Sequence, residues 1–457
     1  MNTGPSKGYL IIDATHGGIR LANEYKEKHE NVFIYDIYNT LNPSQTKELK
    51  DKKVKVLGEL DEITGMDCLD VIYPIHLPLK ESEIAEKINN SDIELNFMTH
   101  HEAVKSIADD LEDILKIEIT GVKGKTSSSF ILKEIFKEKA LLLSSVGIYY
   151  EDELIERDIS ITPANTLKLM DIAKDKKPRT MIIESSLGTS AIGEVCLLTN
   201  IVENYPIANN LRNAKQAKSQ VFNSNLVAVK SETLFHYYKD EYEENKKKIN
   251  TFSIDDDKAN VFCRYVKYGL RKTEMEITYN HVRTVDDELV SGKITVSTFA
   301  PSKYHVENIL GAVCVALSCK VSEKDISEGL NRFKGLIGRT NIEKVKDKII
   351  IKEINPGINT KAIEYSLDMI ENPEDYDIVL GGDYGITCEE INEESVIELM
   401  NQRDNLNFVL TGELGKSIWE KNDGKFEFVE DYKEAVETSD KNILFIYRSD
   451  YRKLNKR

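Results

Sequence analysis

A chain of 457 residues is longer than one core usually spans, and three compact units fit it comfortably. Its 78 acidic against 61 basic side chains leave a net charge of -17, which repels a polyphosphate backbone and argues against nucleic acid as the main partner; small anionic ligands stay open to local amides and lysines. No run approaches the roughly 20 apolar residues that cross a bilayer, and six cysteines without a CxxC pair indicate neither a disulfide framework nor a zinc knuckle.

The opening MNTGPSKGYLIIDATHGG has only a short apolar run that ends in an aspartate, unlike a secretory signal, so a reducing cytoplasm is the expected compartment and no membrane is expected as a partner. The first hundred residues then alternate strand, glycine turn, helix and strand: GYLIID, THGG, IRLANEYKEKH, NVFIYDIY, with DVIYPIHLPL as a further strand and loop. This is an α/β unit of roughly Rossmann size, although without GxGxxG it lacks the dinucleotide fingerprint and a dehydrogenase reading is weak. Asp36, closing the second strand, is read as capping the next turn rather than as a ribose ligand. His16, Gly17, Gly18 and Arg20 stand at a turn entering a helix, where backbone amides and a guanidinium can receive a substrate's carboxylates. A tight turn with a satisfied histidine accounts for the same four residues, and both readings stay open.

A second unit begins near residue 97. The strand LKIEIT runs into the loop GVKGK and the helix TSSSFILKEIFKEK, whose Ile131, Leu132, Ile135 and Phe136 share one face. RTMIIES, ending its strand at Glu184, and VCLLTNI, ending at Thr199 and Asn200, read as parallel strands with polar groups at their carboxyl ends. DEYEENKKKIN reads as a solvated helix or linker. From about residue 338 the alternation restarts with KIIIKEI, DIVLGG, NFVLTG and NILFIY, separated by helical patterns such as TKAIEYSLDMI.

The chemistry concentrates in EITGVKGKTSSSF, residues 118–130. Glycines let loop N–H groups approach phosphate oxygens, and the following helix aims its positive end at the same anion. The loop Gly121, Val122, Lys123, Gly124, Lys125, Thr126 and Ser127 is the candidate ATP grip, with Lys125 on the β/γ phosphates and Thr126 on magnesium. The full pattern GxxxxGK[ST] wants a glycine at position 119, which is isoleucine here, so the loop is a shortened variant.

TGVKGKTSS resembles the TGTNGKTT loop of the Mur ligase family, the ATP-dependent enzymes that include the muramyl peptide ligases and folylpolyglutamate synthetase. ESSLG (184–188), LTNI (198–201), AKSQVF (217–222), HVEN (305–308), Gly338-Arg339 and LGGDYG (380–385) follow in the family's order. The resemblance implies an α/β fold in three domains: a Rossmann-like substrate domain over 1–96, a central ATP-binding P-loop domain with a parallel sheet over 97–337, and a Rossmann-like carboxyl-terminal domain over 338–457. It also implies an acyl-phosphate mechanism in which Lys125, Glu184 and Lys218 are catalytic and ATP and magnesium are required. Glu184 would hold magnesium with Thr126, and Lys218 matches a lysine carbamylated in several members, which would add a metal-supporting anion. Asn200, Asn308 and Arg339 match nucleotide-contacting positions. Plainer readings stand beside these: Glu184 as a strand-end carboxylate on a neighbouring lysine, and Lys218 as a surface lysine in NAKQAKSQVF.

Departures from the family narrow the reaction. Asn204 and Tyr205 stand where many relatives carry aspartate and histidine, which puts a second magnesium in doubt. The DNPR signature of diaminopimelate addition is absent; EINPGINT stands in its place and reads as a helix cap through Asn359 or Thr360. The THGG opening with GVKGKTS and INPGINTKA resembles the methanogen branch of the family, which implies a nickel tetrapyrrole as substrate, ring closure through an activated propionate, and nickel carried by the substrate only. An amide ligase of the same family adding an amino acid is the alternative, and a nucleotide-sensing module that lost turnover is a reading from another class.

Overall fold

The computed structural model describes residues 6–89, 92–336, 338–370, 372–385, 391–450 and 454. The chain divides into two compact units, residues 1–263, 278–293 and 310–329 forming one and 264–277, 294–309 and 330–457 the other.

The first unit contains two sheets. One is wholly parallel, in the order β3-β2-β1-β4-β5, built from β1 (Lys7–Ile12), β2 (Val32–Tyr35), β3 (Lys55–Leu57), β4 (Cys68–Tyr73) and β5 (Glu94–Thr99). Its strand order reverses between β1 and β4, which makes their carboxyl ends the place where open α/β sheets take ligands. Asp36 caps its turn as expected, accepting from the backbone N–H of Thr40 (2.6 Å) and Leu41 (2.7 Å). The sheet extends to Thr99, three residues past the boundary expected at 96 and 97, because Phe97–Thr99 continue the pairing with β4.

Helices α1 (Gly18–Lys28), α2 (Pro43–Asp51), α3 (Glu81–Ile88) and α4 (His100–Ile107) accompany this sheet. Leu21 and Tyr25 of α1 and Ala103, Val104 and Ile107 of α4 then pack into one buried cluster with Leu141, Leu143, Met170 and Ile183. This shared core joins residues on both sides of the expected 96/97 boundary, and no motif in the sequence announces it. Apolar burial at roughly 25 cal/mol per Å² makes such a seam hard to open.

The second sheet runs β15-β14-β11-β6-β10-β7-β8-β9 within this unit. Its members are β6 (Leu115–Thr120), β7 (Ala140–Ser144), β8 (Gly147–Tyr150), β9 (Glu153–Glu156), β10 (Thr180–Glu184), β11 (Val195–Leu198), β14 (Leu226–Lys230) and β15 (Ile249–Ser253); β12 (Pro206–Ile207) and β13 (Arg212–Asn213) make a separate hairpin. Only the β7-β8-β9 edge is antiparallel among these pairs. The charge run DEYEENKKKIN is helical over Lys239–Asn245 with none of those residues buried, yet its last two residues begin the fully buried strand β15. The predicted helix after the P-loop is α5 (Lys125–Phe136), and α6 (Asn165–Lys176) and the short α7 (Ala214–Lys218) follow.

The second unit carries a sheet in the order β19-β20-β24-β21-β22-β23, from β19 (Thr340–Val345), β20 (Lys348–Ile354), β21 (Tyr376–Gly382), β22 (Asn407–Thr411), β23 (Glu427–Phe428) and β24 (Asn442–Arg448). All pairs are parallel except β19 with β20. KIIIKEI, NFVLTG and NILFIY coincide with β20, β22 and β24, and Asn359 caps the helix Thr360–Leu367 by accepting from Ala362 N–H at 3.0 Å. Strands β16 (Val261–Lys267), β17 (Thr273–Arg283) and β18 (Leu289–Thr298) contribute residues to both units.

Candidate active site

The loop after β6 is built for close approach. Gly121 has φ 145° and Gly124, which caps α5, has φ 85°, conformations that a side chain resists. A Cβ on Gly121 would run into Thr199 Oγ1, so the loop lies directly on the end of β11. That strand end braces it. Asn200 accepts from Lys123 N–H (3.1 Å) and donates to Lys123 C=O (3.1 Å), Thr199 Oγ1 donates to the same carbonyl (2.6 Å), and Val122 N–H donates to Asn200 C=O (3.0 Å). The Lys125 ammonium donates to Gly121 C=O at 2.9 Å, at the mouth of the loop.

Beside the loop, the buried Glu184 ends β10, one strand over from β6. Its carboxylate accepts from Thr126 Oγ1 (2.8 Å) and from Ser145 N–H (3.0 Å), while Ser145 Oγ lies 3.1 Å from Thr126 Oγ1. The neighbouring-lysine reading of Glu184 thus gives way to a hydroxyl and an amide. Sequence reasoning missed Ser145, which sits in the turn between β7 and β8; no motif marks it. A hydroxyl and a carboxylate side by side, next to a glycine cradle at a helix amino terminus, are hard oxygen donors of the kind magnesium takes, together with phosphate oxygens.

Lys218 is 1 % exposed, so the surface reading fails. It ends α7, and the segment after Glu184 leans on that helix: a Cβ on Gly188 would meet Gln220 Oε1 at 2.5 Å and Ala217 C=O at 2.7 Å. His101 lies in the same neighbourhood. Its Nε2 is 3.0 Å from Ser186 C=O, and its pKa is pushed down to about 3, first by burial and further by His100 and then Lys218, against the pull of that carbonyl. Sequence reasoning did not single out His101; the capping box of α4, in which Thr99 and Glu102 exchange backbone and side-chain bonds around the two histidines, marks only where that helix starts. Asn204, one of the two family departures, accepts from Lys215 N–H at 2.8 Å and so helps start α7, while Tyr205 C=O takes Ala214 N–H.

Asn308 and Arg339 belong to the second unit. Asn308 is buried with no hydrogen-bond partner for its Nδ2, and Arg339 Nη1 donates to Gly338 C=O at 2.6 Å.

At the amino-terminal turn the glycines have steric reasons of their own. Gly17 (φ 94°) caps α1, where a Cβ would sit 2.6 Å from Ala164 Cβ, and a Cβ on Gly18 would strike Asp13 C=O. Arg20 is engaged by Glu24 (2.5 Å) and by Asp171, both carboxylates of the protein. Gly17 and Arg20 line a cavity of about 740 Å³ that also presents Glu27, Glu48 and Asp109, a mixed rather than a cationic lining. His16 faces a partner that sequence reasoning did not single out, His76, and a buried Asp13 between them. Asp13 is held down to about 2: burial pulls it up, and the bonds from His16 and Thr15 more than reverse that. Burial and the nearby His16 push His76 down to about 4.

Residues 119–316 match the Mur ligase middle domain, and residues 342–450 match the coenzyme F430 synthetase CfbE C-terminal domain. Coenzyme F(430) synthetase of Methanocaldococcus jannaschii is 29% identical over 90% of this chain and 91% of its own, and that of Methanosarcina acetivorans 27% over 85% and 86%. Among solved structures, a pseudomurein peptide ligase type C from Methanothermus fervidus superposes with TM-score 0.54 at 15% identity, covering 99% of this chain and 98% of that one. Such likeness establishes a mixed α/β fold built on parallel-sheet domains.

Proposed function

We propose, from the premise that this chain belongs to the Mur ligase family, that it is an ATP-dependent ligase acting as the coenzyme F(430) synthetases do. It would activate one propionate of the nickel tetrapyrrole 15,17(3)-seco-F(430)-17(3)-acid and close a six-membered carbocyclic ring, releasing ADP and phosphate. The observation that carries this reading is the match of residues 342–450 to the carboxyl-terminal domain of those synthetases, joined to a grip for triphosphate in the same chain.

Each residue then has a task. Within the loop from Gly121 to Ser127, the N–H groups at the Gly124 turn and the amino end of α5 receive the β- and γ-phosphates, while those of Val122 and Lys123 stay on Asn200. Lys125 turns from Gly121 C=O to the phosphate in transfer, and Asn200 and Thr199 hold the loop open in shape. Thr126 and Glu184 would hold magnesium, which would neutralise charge on the phosphates. Lys218, as its carbamate, would add a metal-supporting anion. His16, Gly17, Gly18 and Arg20 serve the tetrapyrrole, and for Asn308 and Arg339, which belong to the second unit, a nucleotide-contacting role rests on the family resemblance alone.

The substrate carboxylate oxygen bonds to the γ-phosphorus as ADP leaves; a carbon of the same molecule then loses its proton and attacks the carbonyl as phosphate leaves. The tetrapyrrole loses one water in total. Both reacting groups sit in one molecule, so an effective concentration of about 10⁵ M or more replaces the binding work an amide ligase must do. The missing amino-acid signature and the replaced Asp-His pair are compatible with that economy. Phosphate release should depend on the tetrapyrrole and on no amino acid. Release that requires glutamate or another amino acid would favour the amide-ligase alternative instead, and ATP binding without release in any mixture would point to a sensing module.

A further inference from the structure

We propose that Asp13, His16 and His76 form a binding site for one divalent transition-metal ion, with a carboxylate oxygen and two imidazole nitrogens as ligands. The three donor atoms already converge. Asp13 Oδ2 lies 2.5 Å from His16 Nδ1, His16 Nδ1 lies 3.0 Å from His76 Nε2, and His76 Nε2 lies 3.8 Å from Asp13 Oδ2. A four-coordinate ion with bonds of about 2.0–2.1 Å has donor-to-donor edges of roughly 3.3 Å, inside the range of these separations. Opening the Asp13–His16 edge and closing the Asp13–His76 edge brings the three donors onto one face of a tetrahedron, and binding exchanges the protons shared in the cluster for the ion.

The surroundings hold the donors in place. Asp13 is fully buried, and its other oxygen accepts from Thr15 N–H (2.7 Å) and Thr15 Oγ1, which leaves Oδ2 aimed at the histidines. His76 rides on the loop after β4, whose Ile75 and Leu77 carbonyls accept from Arg212 at 3.4 Å and 3.1 Å. The Arg212 guanidinium also lies over the Tyr73 ring at 5.4 Å. His16 and His76 side chains are 47 % and 25 % exposed, so an ion can enter and keep a position open to solvent or ligand.

Location gives the site a use. Asp13 follows β1 and His76 follows β4, the two strands between which the order of the sheet reverses. Arg20, the guanidinium of this turn, also pairs with Glu24 and Asp171, so a bound ion would add to the positive charge that a substrate carboxylate meets here. Two imidazoles and one carboxylate suit zinc, nickel, cobalt or copper rather than magnesium.

The test is titration of the full chain, free of any affinity tag, with Co²⁺, Ni²⁺ and Zn²⁺ in excess Mg²⁺, which keeps the oxygen site at Thr126 and Glu184 filled. One equivalent should bind, with the visible absorption of four-coordinate cobalt. His16→Ala and His76→Ala, both changes of partly exposed side chains, should each weaken binding by more than the roughly 10- to 100-fold that loss of an outer-shell partner costs, and abolish that absorption. Wild-type protein that binds no ion, binding unchanged in both variants, or loss in one variant alone would overturn the three-ligand site. None of these results depends on the tetrapyrrole reaction.

Discussion

Asn200→Ala isolates what the end of β11 does for the phosphate loop. The change removes two hydrogen bonds, one to Lys123 N–H and one to Lys123 C=O, each 3.1 Å, while Thr199 Oγ1 still serves that carbonyl. At about 0.5–1.5 kcal/mol net per bond, the loop loses about 1–3 kcal/mol of its hold on the curled shape. If ATP needs that shape, its affinity falls by roughly 5- to 150-fold, at 1.4 kcal/mol per tenfold. Asn200→Asp should be as bad or worse, because an anionic oxygen then faces the Lys123 carbonyl and the incoming phosphates. Calorimetric titration with a nonhydrolysable ATP analogue measures the effect, and thermal unfolding checks the fold. Wild-type affinity in Asn200→Ala, or a loss matched by collapse of the whole unit, would refute the bracing role.

Three further predictions concern single residues. Lys125→Ala should abolish turnover with the fold intact by circular dichroism; near-normal phosphate release would remove Lys125 from the phosphate site. Lys218→Ala should also cut turnover, with part of it restored by short carboxylic acids in place of the carbamate; full activity without additive would end the metal-supporting role. His305, buried and 2.9 Å from Ser302 Oγ, has its pKa pushed down to about 3 by burial. Because the unfolded chain binds the proton near pH 6.5, stability is lost as pH falls below that value, by about 2 kcal/mol for this group between pH 7 and pH 5. His305→Asn should flatten the acid limb of urea midpoints by that amount, and an unaltered slope would count against it.

Local chemistry was the part of this molecule legible in sequence. The glycines and hydroxyls of the P-loop, the turn cap at Asp36 and the helix cap at Asn359 act through backbone groups a few residues away, so their spacing shows their work. Strands β20, β22 and β24 announce themselves because a parallel strand is apolar on both faces. Features made by distant parts of the chain were not legible. Nothing near residue 218 tells the buried lysine from the half-buried Lys215 beside it, Ser145 reaches Glu184 only after β7 and β10 pair, and His76 meets His16 only across the reversal of strand order. Likewise the seam between α1, α4 and the second sheet depends on tertiary packing, which is why a boundary drawn at residue 96 cuts through a continuous core.

Ring closure by this chain is tested most directly by mass spectrometry of the tetrapyrrole after incubation with ATP and magnesium and no amino acid. The account predicts a product lighter than the seco acid by one water, formed together with one ADP and one phosphate, and no product from protein carrying Lys125→Ala. An unchanged tetrapyrrole, or a product heavier by an added amino acid, would contradict it.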